Sequence, residues 1–264
     1  MQGSGQAETR SAIVTGGAGA IGTATIRRLL AAGRRVAMVD HNDDALRHAA
    51  RTLGAGAQLL SIRADATDPA QVAAAVAQTA AAFGRIDILI NLAGGAGPTR
   101  VHAIEDIDLD VWTSVMDNNL RSAFLFARAA VPHMRRRRWG RIVNFSSTLA
   151  RGEKGPPTTV TARLPYATAK AALIGLTAQL AKDVAVDGIT VNALMPGLIV
   201  GEAGTRIRAR FEGLPEADRR RMEEAWPMAR PGEAVEVAAV AAFLTSEEAS
   251  FVSGVALPVD GAYL

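Results

Sequence analysis

The sequence predicts an α/β fold with three layers, in which helices cover both faces of a doubly wound parallel β-sheet of about seven strands. Short aliphatic and β-branched runs alternate with segments of helical periodicity along the chain. The strand runs are almost continuously apolar, as expected where both faces of a sheet are covered. The length of 264 residues, with 49% hydrophobic and 21% charged residues, suits one domain over residues 1–264.

The elements follow in a regular order along the chain. Strands are predicted at 11–16, 35–40, 57–65, 86–94, 140–147, 189–197 and 254–260. Helices are predicted at 21–33, 43–53, 69–83, 108–134, 166–187 and 233–245. Strands separated by helices pair in parallel through right-handed crossovers, and such sheets bind ligands at the carboxyl ends of their strands.

Two long segments interrupt this alternation. Residues 150–163 form a polar loop rich in Pro, Gly and Thr, and residues 198–229 are charged with apolar residues at helical spacing. Each follows a strand, so we expect substrate-facing insertions, with 198–229 acting as a lid. Arg206, Arg208 and Arg210 alternate within it; a solvated helix face is the favoured interpretation and an anionic substrate contact is the alternative.

Composition excludes several classes of function. The chain has no cysteine, so it has no disulfide, thiolate nucleophile or cysteine metal site, and we expect no metal. No signal peptide is visible and no apolar run reaches 18 residues, so the cytoplasm is the expected location. The net charge is +3, and the basic run 135–138 is interpreted as a helix end rather than a nucleic-acid patch.

A glycine-rich turn, TGGAGAIG at residues 15–22, joins the first strand to the first helix. Gly16 and Gly22 allow a sharp turn and a close approach of helix to sheet, and the exposed N–H groups make an anion site. A plain tight connection is the alternative. The position between a strand and a helix favours the dinucleotide site of a Rossmann fold.

Asp40 ends the second predicted strand. A carboxylate there accepts hydrogen bonds from an adenine ribose diol and repels a 2′-phosphate, so NAD is favoured over NADP. The alternative is that Asp40 caps the helix that begins near Asp43.

Tyr166 and Lys170 lie one helical turn apart in a chain with only two tyrosines and three lysines. The pair is either an ordinary surface pair or a phenol whose acidity is tuned by an ammonium group. A free phenol has a pKa near 10, so it is a poor base at pH 7; Lys170 and an oxidised nicotinamide are expected to lower that pKa.

These motifs together resemble those of the single-domain short-chain dehydrogenase/reductases, over Ser11 to Gly261. The glycine turn is similar to the family's TGxxxGxG, NLAG (91–94) to its NNAG, and YATAK (166–170) to its YxxxK. IVNFSS, MPG (195–197) and the final VDGAYL resemble its serine strand, its PG motif and its usual ending. Six motifs in the right order are far more specific than one.

The resemblance implies the catalytic residues. Ser147 would orient the substrate oxygen, Tyr166 would be the acid/base, Lys170 would lower its pKa, and Asn119 would fix a relay water. Ser146 and Asn118 are the alternatives to Ser147 and Asn119. The implied cofactor-binding residues are Gly16, Ala20, Ile21, Asp40, Asp65, Ala66, Asn91, Ala93, Tyr166, Lys170, Pro196, Gly197 and Ile199.

The resemblance also assigns contacts within that set. Asp65 and Ala66 would border the adenine, and the backbone of Asn91 and Ala93 the adenine ribose. Ile21 would offer its N–H to the pyrophosphate, and Ile199 would touch the nicotinamide carboxamide.

The sequence departs from the family pattern at four positions. Ala20 replaces the usual middle glycine, and Leu92 replaces the second Asn of NNAG. Gly201 replaces a threonine that often binds the carboxamide, which leaves that contact to backbone or water, and Ala262 stands where Gly is common.

The expected function is NAD-dependent interconversion of a secondary alcohol and a ketone. The apolar lid residues favour a bulky or ring-bearing substrate, and the family implies a homotetramer with contacts through helices 108–134 and 166–187 and the last strand. We expect no nucleic-acid or membrane partner. The alternative is a dinucleotide-binding sensor or scaffold without catalysis.

Overall fold

The computed structural model describes residues 9–54, 56–97, 103–152, 163–203 and 205–264. A seven-stranded sheet is parallel throughout. Its strands are β1 (Ser11–Thr15), β2 (Arg35–Asp40), β3 (Leu59–Arg63), β4 (Ile88–Asn91), β5 (Gly140–Phe145), β6 (Ile189–Pro196) and β9 (Ala256–Val259). They run in the order β3-β2-β1-β4-β5-β6-β9. The predicted doubly wound sheet and its seven strands are confirmed.

Helices cover both faces of the sheet. They are α1 (Ala20–Ala31), α2 (Asp43–Leu53), α3 (Pro69–Phe83), α4 (Leu109–Met116), α5 (Ser122–Arg137), α6 (Arg163–Val184), α7 (Arg206–Glu212), α8 (Glu216–Glu224) and α9 (Ala234–Leu244). One core packs α3, α5 and α6 against the sheet, and the other packs α1, α2 and α9. Successive side chains of β1 contribute to the two cores in turn, because Ile13 packs in the first core and Ala12 and Val14 pack in the second.

Local sequence explains where the helices begin and end. The Asn42 side chain accepts a hydrogen bond from Ala45 N at the start of α2, and Asp68 caps α3 just before Pro69. Left-handed glycines follow the last residues of α2 and α3. These caps fix the turns that lead into β3 and β4.

The predicted single helix over 108–134 is wrong in one respect. It divides into α4 and α5, joined by a π-helical turn at Asp117–Arg121. A π turn widens the helix by one residue and redirects its side chains, and such turns are frequent at functional sites. Here it places Asn119 in a buried position.

The lid segment, residues 198–229, begins with β7 (Ile199–Val200), which pairs in parallel with β8 (Gly232–Glu233) in a separate two-stranded sheet. Helices α7 and α8 follow, with the rings of Phe211 and Trp226 in contact at 6.5 Å. Arg208 Nε donates to Gly201 O at 2.6 Å, so Arg208 ties α7 to the start of the lid.

Parts of two predictions lie outside the described residues. They are most of the 150–163 loop, at 153–162, and residue 204 of the lid. The Arg206 side chain lies outside them as well. Arg208 binds Gly201 O and Glu212 of the protein itself, and the anion-binding alternative for the lid arginines stays a prediction.

The basic run at 135–138 closes α5. Arg135 Nε pairs with Asp187 at 2.6 Å, and Arg138 adopts a left-handed conformation and donates to Val186 O at 2.8 Å. These contacts agree with the helix-end interpretation of the run. No helix in the described ranges combines the length and apolar content needed to cross a membrane.

Ala229 adopts a left-handed backbone conformation, with φ of 52°. A Cβ in that region costs about 1–2 kcal/mol, while glycine costs about 0.5–1 kcal/mol of unfolded-state entropy. We therefore expect Ala229→Gly to raise the free energy of unfolding by about 0.5 kcal/mol in urea denaturation. The matched control is Ala77→Gly on the exposed face of α3, which should lower it by about 1 kcal/mol. A loss of stability in both variants would contradict the expectation.

Candidate active site

A crevice of about 530 Å³ opens at the carboxyl edge of the sheet. The segments that follow β1, β2, β3, β4 and β6 contribute to its walls, as expected for the ligand site of a doubly wound sheet. Eight of the predicted cofactor residues line it: Gly16, Ala20, Ile21, Asp40, Asp65, Ala66, Ala93 and Ile199. Among the described residues, the other predicted ones, Asn91, Tyr166, Lys170, Pro196 and Gly197, are not part of its lining.

The glycine turn is packed too tightly for side chains at three positions, Gly16, Gly17 and Gly22. Gly16 has a φ of 62°, and a Cβ there would lie 2.9 Å from Ala93 N. A Cβ on Gly22 would lie 2.6 Å from Gly16 O. Helix α1 begins directly afterwards and has no acidic residue in its first turn, so its N-terminal N–H groups are available to an anion. This cradle fits the pyrophosphate of a dinucleotide.

Asp40 lies at the end of β2 and lines the crevice, with its side chain 12% exposed. Its Oδ2 accepts a hydrogen bond from Ala18 N at 3.3 Å, and its Oδ1 accepts one from Asn42 N at 3.1 Å. The N-cap of α2 is Asn42, so the alternative role of Asp40 as the cap is wrong. The carboxylate is oriented by the glycine turn and faces the crevice.

Asp65 and Ala66 follow β3 and border the same end of the crevice as Asp40. One carboxylate oxygen of Asp65 accepts hydrogen bonds from the N–H and hydroxyl of Thr67, each at 2.8 Å. Of the second predicted pair, Asn91 and Ala93, only one residue lines the crevice. Ala93 lines the crevice, whereas the Asn91 side chain turns into the protein and donates to Asn144 Oδ1 at 2.8 Å.

Asn119 is 1% exposed in the π turn between α4 and α5. Its Nδ2 donates to Gly95 O and to Val115 O, each at 2.8 Å, and its Oδ1 accepts from Gly95 N at 3.1 Å. Gly95 lines the crevice, so Asn119 holds one wall of it in place. The alternative, Asn118, lines the crevice itself.

Tyr166 and Lys170 lie on α6, with Lys170 Nζ 5.4 Å from the centroid of the Tyr166 ring. Lys170 is 4% exposed and its Nζ donates to Phe145 O at 2.7 Å, at the end of β5. Ser147, two residues further along, is hydrogen-bonded to the Tyr166 side chain. The structure thus brings the three predicted catalytic side chains together at the carboxyl end of β5, next to β4 and the crevice.

The two candidate serines have different partners. Ser146 Oγ donates to Lys170 O at 2.7 Å, which fixes the backbone of α6. Ser147 Oγ accepts from Leu149 N at 3.2 Å, and its hydrogen bond to Tyr166 places it beside the phenol. This geometry favours Ser147 as the residue that orients a substrate oxygen, with Ser146 holding the helix.

The sequence predicted that the pKa of Tyr166 is lowered. For the effect of the protein's own groups, that direction is wrong. Burial raises the pKa of Tyr166, and the hydrogen bond from Ser147 only opposes that shift. Burial also lowers the pKa of Lys170, to about 7, because its ammonium group is surrounded by protein. Spacing along the helix showed that the two groups are neighbours but could not show that Tyr166 is half-buried and Lys170 buried.

Sequence reasoning missed two polar residues that hold α6 against the sheet. Asn144 on β5 donates through Nδ2 to Thr177 Oγ1 at 2.9 Å, and it accepts the hydrogen bond from Asn91 on β4. Thr177 lies seven residues after Lys170, on the same face of the helix. That spacing was the available signal. The chain Asn91–Asn144–Thr177 links the strand beside the crevice to the helix that carries Tyr166.

The donors and shape of the crevice fit a dinucleotide rather than a metal. Within the described residues, no group of three or more His, Asp or Glu is arranged to hold a metal ion. Gly16, the first turn of α1 and Asp40 instead offer N–H groups for a pyrophosphate and a carboxylate for a ribose diol.

Comparisons with known proteins give relatives that match nearly the whole chain. Residues 16–263 match the family model described as enoyl-(acyl carrier protein) reductase. The chain is 36% identical over 257 residues to 2-(R)-hydroxypropyl-CoM dehydrogenase of Xanthobacter autotrophicus, covering 97% of this chain and 98% of that protein. It is 38% identical over 254 residues to cis-4-hydroxycyclohexanecarboxylate dehydrogenase of Sinomonas cyclohexanicum, covering 96% of each. The crystal structure of levodione reductase superposes with a TM-score of 0.83 at 32% identity and covers 96% of each chain.

Proposed function

The chain belongs to the short-chain dehydrogenase/reductase family, and the relatives described above are oxidoreductases that act on hydroxyl and ketone groups. We propose that this chain interconverts a secondary alcohol and a ketone with NAD as the cofactor. One observation carries the proposal. The Tyr166 phenol is hydrogen-bonded to Ser147 and lies one helical turn from Lys170, at the strand end next to a crevice that fits a dinucleotide.

The chemistry divides between the cofactor and the chain. Bound NAD supplies the hydride acceptor, or in reduced form the donor, and its oxidised ring carries a positive charge. Tyr166 takes the hydroxyl proton when the alcohol is oxidised and returns it to the carbonyl oxygen when the ketone is reduced. Ser147 donates a hydrogen bond to the same oxygen and holds it beside the phenol.

Burial suits Tyr166 better as an acid than as a base. Its pKa is raised, so the phenol is protonated at neutral pH and ready to give its proton to a ketone. Oxidation needs the phenolate, which the positive charges of Lys170 and the oxidised cofactor stabilise. Asn119 fixes the adjoining wall through Gly95, and a relay of protons from Lys170 by way of a water remains part of this proposal.

The substrate class follows from the lid segment and the relatives. Phe211 and Trp226 give the lid an aromatic contact, and one related protein is named for a six-membered ring compound, cis-4-hydroxycyclohexanecarboxylate. We therefore propose a ring-bearing secondary alcohol or ketone as the substrate. A panel of cyclic and acyclic alcohols and ketones, followed at 340 nm with both nicotinamide cofactors, tests the reaction and this preference together.

The rival function is a dinucleotide-binding sensor or scaffold without catalysis. The buried Lys170 argues against it, because burying a lysine costs free energy and a protein that only binds the cofactor gains nothing from that cost. Binding of NADH without turnover of any member of the panel would support the rival.

We also propose that the protein is a homotetramer of the cytoplasm. Exposed apolar side chains on α5, α6, α9 and β9 support contacts between copies: Phe124, Leu164, Val235, Phe243 and Leu257. Light scattering after size exclusion would test the assembly, and a monomeric mass would contradict it.

Asp40 tests the choice of cofactor. We expect Asp40→Ala to narrow the preference for NAD over NADP by about tenfold or more in kcat/KM, because it removes both the ribose acceptor and the repulsion of a 2′-phosphate. The control is Asp43→Ala, on the exposed start of α2, which should leave the ratio within about twofold. A wild-type enzyme that prefers NADP would show that the assignment of Asp40 is wrong.

A further inference from the structure

Tyr166 lies in the first turn of α6, where a helix is held least firmly by its own hydrogen bonds. The helix begins at Arg163, and the first four N–H groups of a helix have no partner within it. Helix ends also open more readily than helix interiors. The position of the Tyr166 phenol relative to the sheet therefore depends on how the beginning of α6 is tied to the neighbouring strand.

Lys170, one turn after Tyr166, is tied to the end of β5 by two hydrogen bonds. Its Nζ donates to Phe145 O at 2.7 Å, and its backbone oxygen accepts a hydrogen bond from Ser146 Oγ at 2.7 Å. The two bonds join one residue of α6 to two consecutive residues at the end of the strand, and they run in opposite directions. We call them the Lys170 clamp, because they fix both the side chain and the backbone of Lys170.

Ser146 is itself held by the sheet. It directly follows β5, and its backbone N–H donates to Leu194 O of β6 at 2.8 Å. Both Ser146 and Lys170 are buried, so the bond between them is shielded from water. A carbonyl oxygen has two lone pairs, so Lys170 O can accept this bond in addition to a bond within the helix. The Ser146 hydroxyl is therefore a fixed point to which the backbone of α6 is attached.

The clamp joins the two segments that carry the reacting hydroxyl groups. Ser147 follows Ser146 at the end of the strand, Tyr166 precedes Lys170 on the helix, and the side chains of Ser147 and Tyr166 are hydrogen-bonded to each other. A displacement of α6 relative to β5 would therefore change the distance between the phenol and the serine hydroxyl. Misplacing a reacting group by about 1 Å costs about a hundredfold in rate.

We propose that Ser146 is a positioning residue for the reaction, whose hydrogen bond to Lys170 O holds the beginning of α6 so that Tyr166 and Ser147 meet the same substrate oxygen. The inference rests on the proposed function, because this position matters only if Tyr166 and Ser147 act on a substrate. In this role Ser146 touches neither the substrate nor the cofactor and acts through the helix.

Ser146→Ala tests this role, and Ser11→Ala is its matched control. Ser11 is also buried and its Oγ also donates to a backbone oxygen, that of Arg85, but it lies at the first residue of β1, away from the crevice. Each variant loses one buried hydrogen bond, so both should melt about 2–4 °C lower than wild type. We expect Ser146→Ala to lower kcat about five- to twentyfold and to leave the Kd of NADH within about twofold. Ser11→Ala should keep kcat within about twofold of wild type.

Hydrogen exchange gives a readout that needs no substrate. Amides in peptides that cover the beginning of α6 should exchange about fivefold faster in Ser146→Ala than in wild type, and at the wild-type rate in Ser11→Ala. Ser146→Thr keeps the hydroxyl, so it should bring both the exchange rate and kcat back to within about threefold of wild type.

The outcomes separate this inference from the proposed function. If the wild-type chain turns over a ketone and Ser146→Ala does so at a similar rate, the inference alone is wrong. Equal losses of kcat in Ser146→Ala and Ser11→Ala would show general destabilisation and would also overturn it. A loss of about a thousandfold in Ser146→Ala would make Ser146 the serine that orients the substrate oxygen, in place of the positioning role. A Ser146→Thr variant that melts like wild type but stays slow would show that the hydroxyl is not the group that matters. A wild-type chain that turns over no alcohol or ketone overturns the proposed function and this inference with it.

Discussion

Tyr166→Phe is expected to lower kcat by at least about a thousandfold in both directions, while the Kd of NADH changes by no more than about twofold. The substitution removes one oxygen and keeps the ring, so the packing of α6 is preserved and only the proton donor is lost. General acid–base catalysis contributes about 10²–10⁴-fold. In the proposed mechanism the same group also holds the substrate oxygen together with Ser147, to which it is hydrogen-bonded. Steady-state rates at 340 nm and calorimetric titration measure the two effects separately.

The chain offers a matched control for this variant. Tyr263 is the only other tyrosine and lies near the C-terminus, so Tyr263→Phe deletes the same atom outside the proposed proton path. It should keep kcat within about threefold of wild type. Near-normal turnover by Tyr166→Phe would remove Tyr166 from the mechanism, whereas equal losses in both variants would indicate a general effect of the deletion.

The parts of the fold that sequence predicted are those determined by local pattern. Continuous apolar runs identified all seven strands of the main sheet, and helical periodicity identified the ranges of α2 and α3, which the structure places at Asp43–Leu53 and Pro69–Phe83. The π turn around Asn119 was not predicted, because nothing in DNNLR excludes an ordinary helix and the hydrogen bonds of Asn119 to Gly95 join residues far apart in sequence. The two-residue strands β7 and β8 are too short to show a period.

The candidate site also has parts that the sequence predicted and parts that it did not. Motifs indicated the residues around the crevice because a glycine turn and a carboxylate at a strand end have local signatures, as at Gly16 and Asp40. Contacts between segments that are distant in sequence have no local signature. Neither the hydrogen bond from Asn144 to Thr177 nor that from Ser146 to Lys170 follows from the sequence near either residue. Burial is the third kind of missing information, and it reversed the expected shift of the Tyr166 pKa.

Lys170→Met is expected to inactivate the enzyme and to stabilise the fold at neutral pH. Burial lowers the pKa of Lys170 from its ordinary value of 10.5 to about 7. The folded protein therefore disfavours the charged form, and this cost is nearly complete below pH 7 and disappears as the pH rises to the unfolded value of 10.5. At about 1.4 kcal/mol per pKa unit, the cost reaches about 5 kcal/mol at most, and methionine does not incur it.

The difference between two pH values isolates this effect. Methionine also loses the hydrogen bond to Phe145 O and the contact with the Tyr166 ring, but those losses do not depend on pH between 6.5 and 9.5. The free energy of unfolding of Lys170→Met, relative to wild type, should therefore be about 3 kcal/mol more favourable at pH 6.5 than at pH 9.5. Urea denaturation at the two pH values measures it.

Lys182→Met is the matched control, since Lys182 lies on the exposed face of the same helix. It should change stability by less than about 0.5 kcal/mol at either pH and leave turnover intact. Equal stability differences for Lys170→Met at both pH values would mean that Lys170 titrates near its ordinary pKa in the folded chain. Its ammonium group would then be fully charged at neutral pH, and the phenolate of Tyr166 would have a permanent cation beside it. The expected difference between the two pH values would show instead that the charge of Lys170 depends on pH in the neutral range. Oxidation and reduction would then be favoured by different protonation states of this one buried lysine.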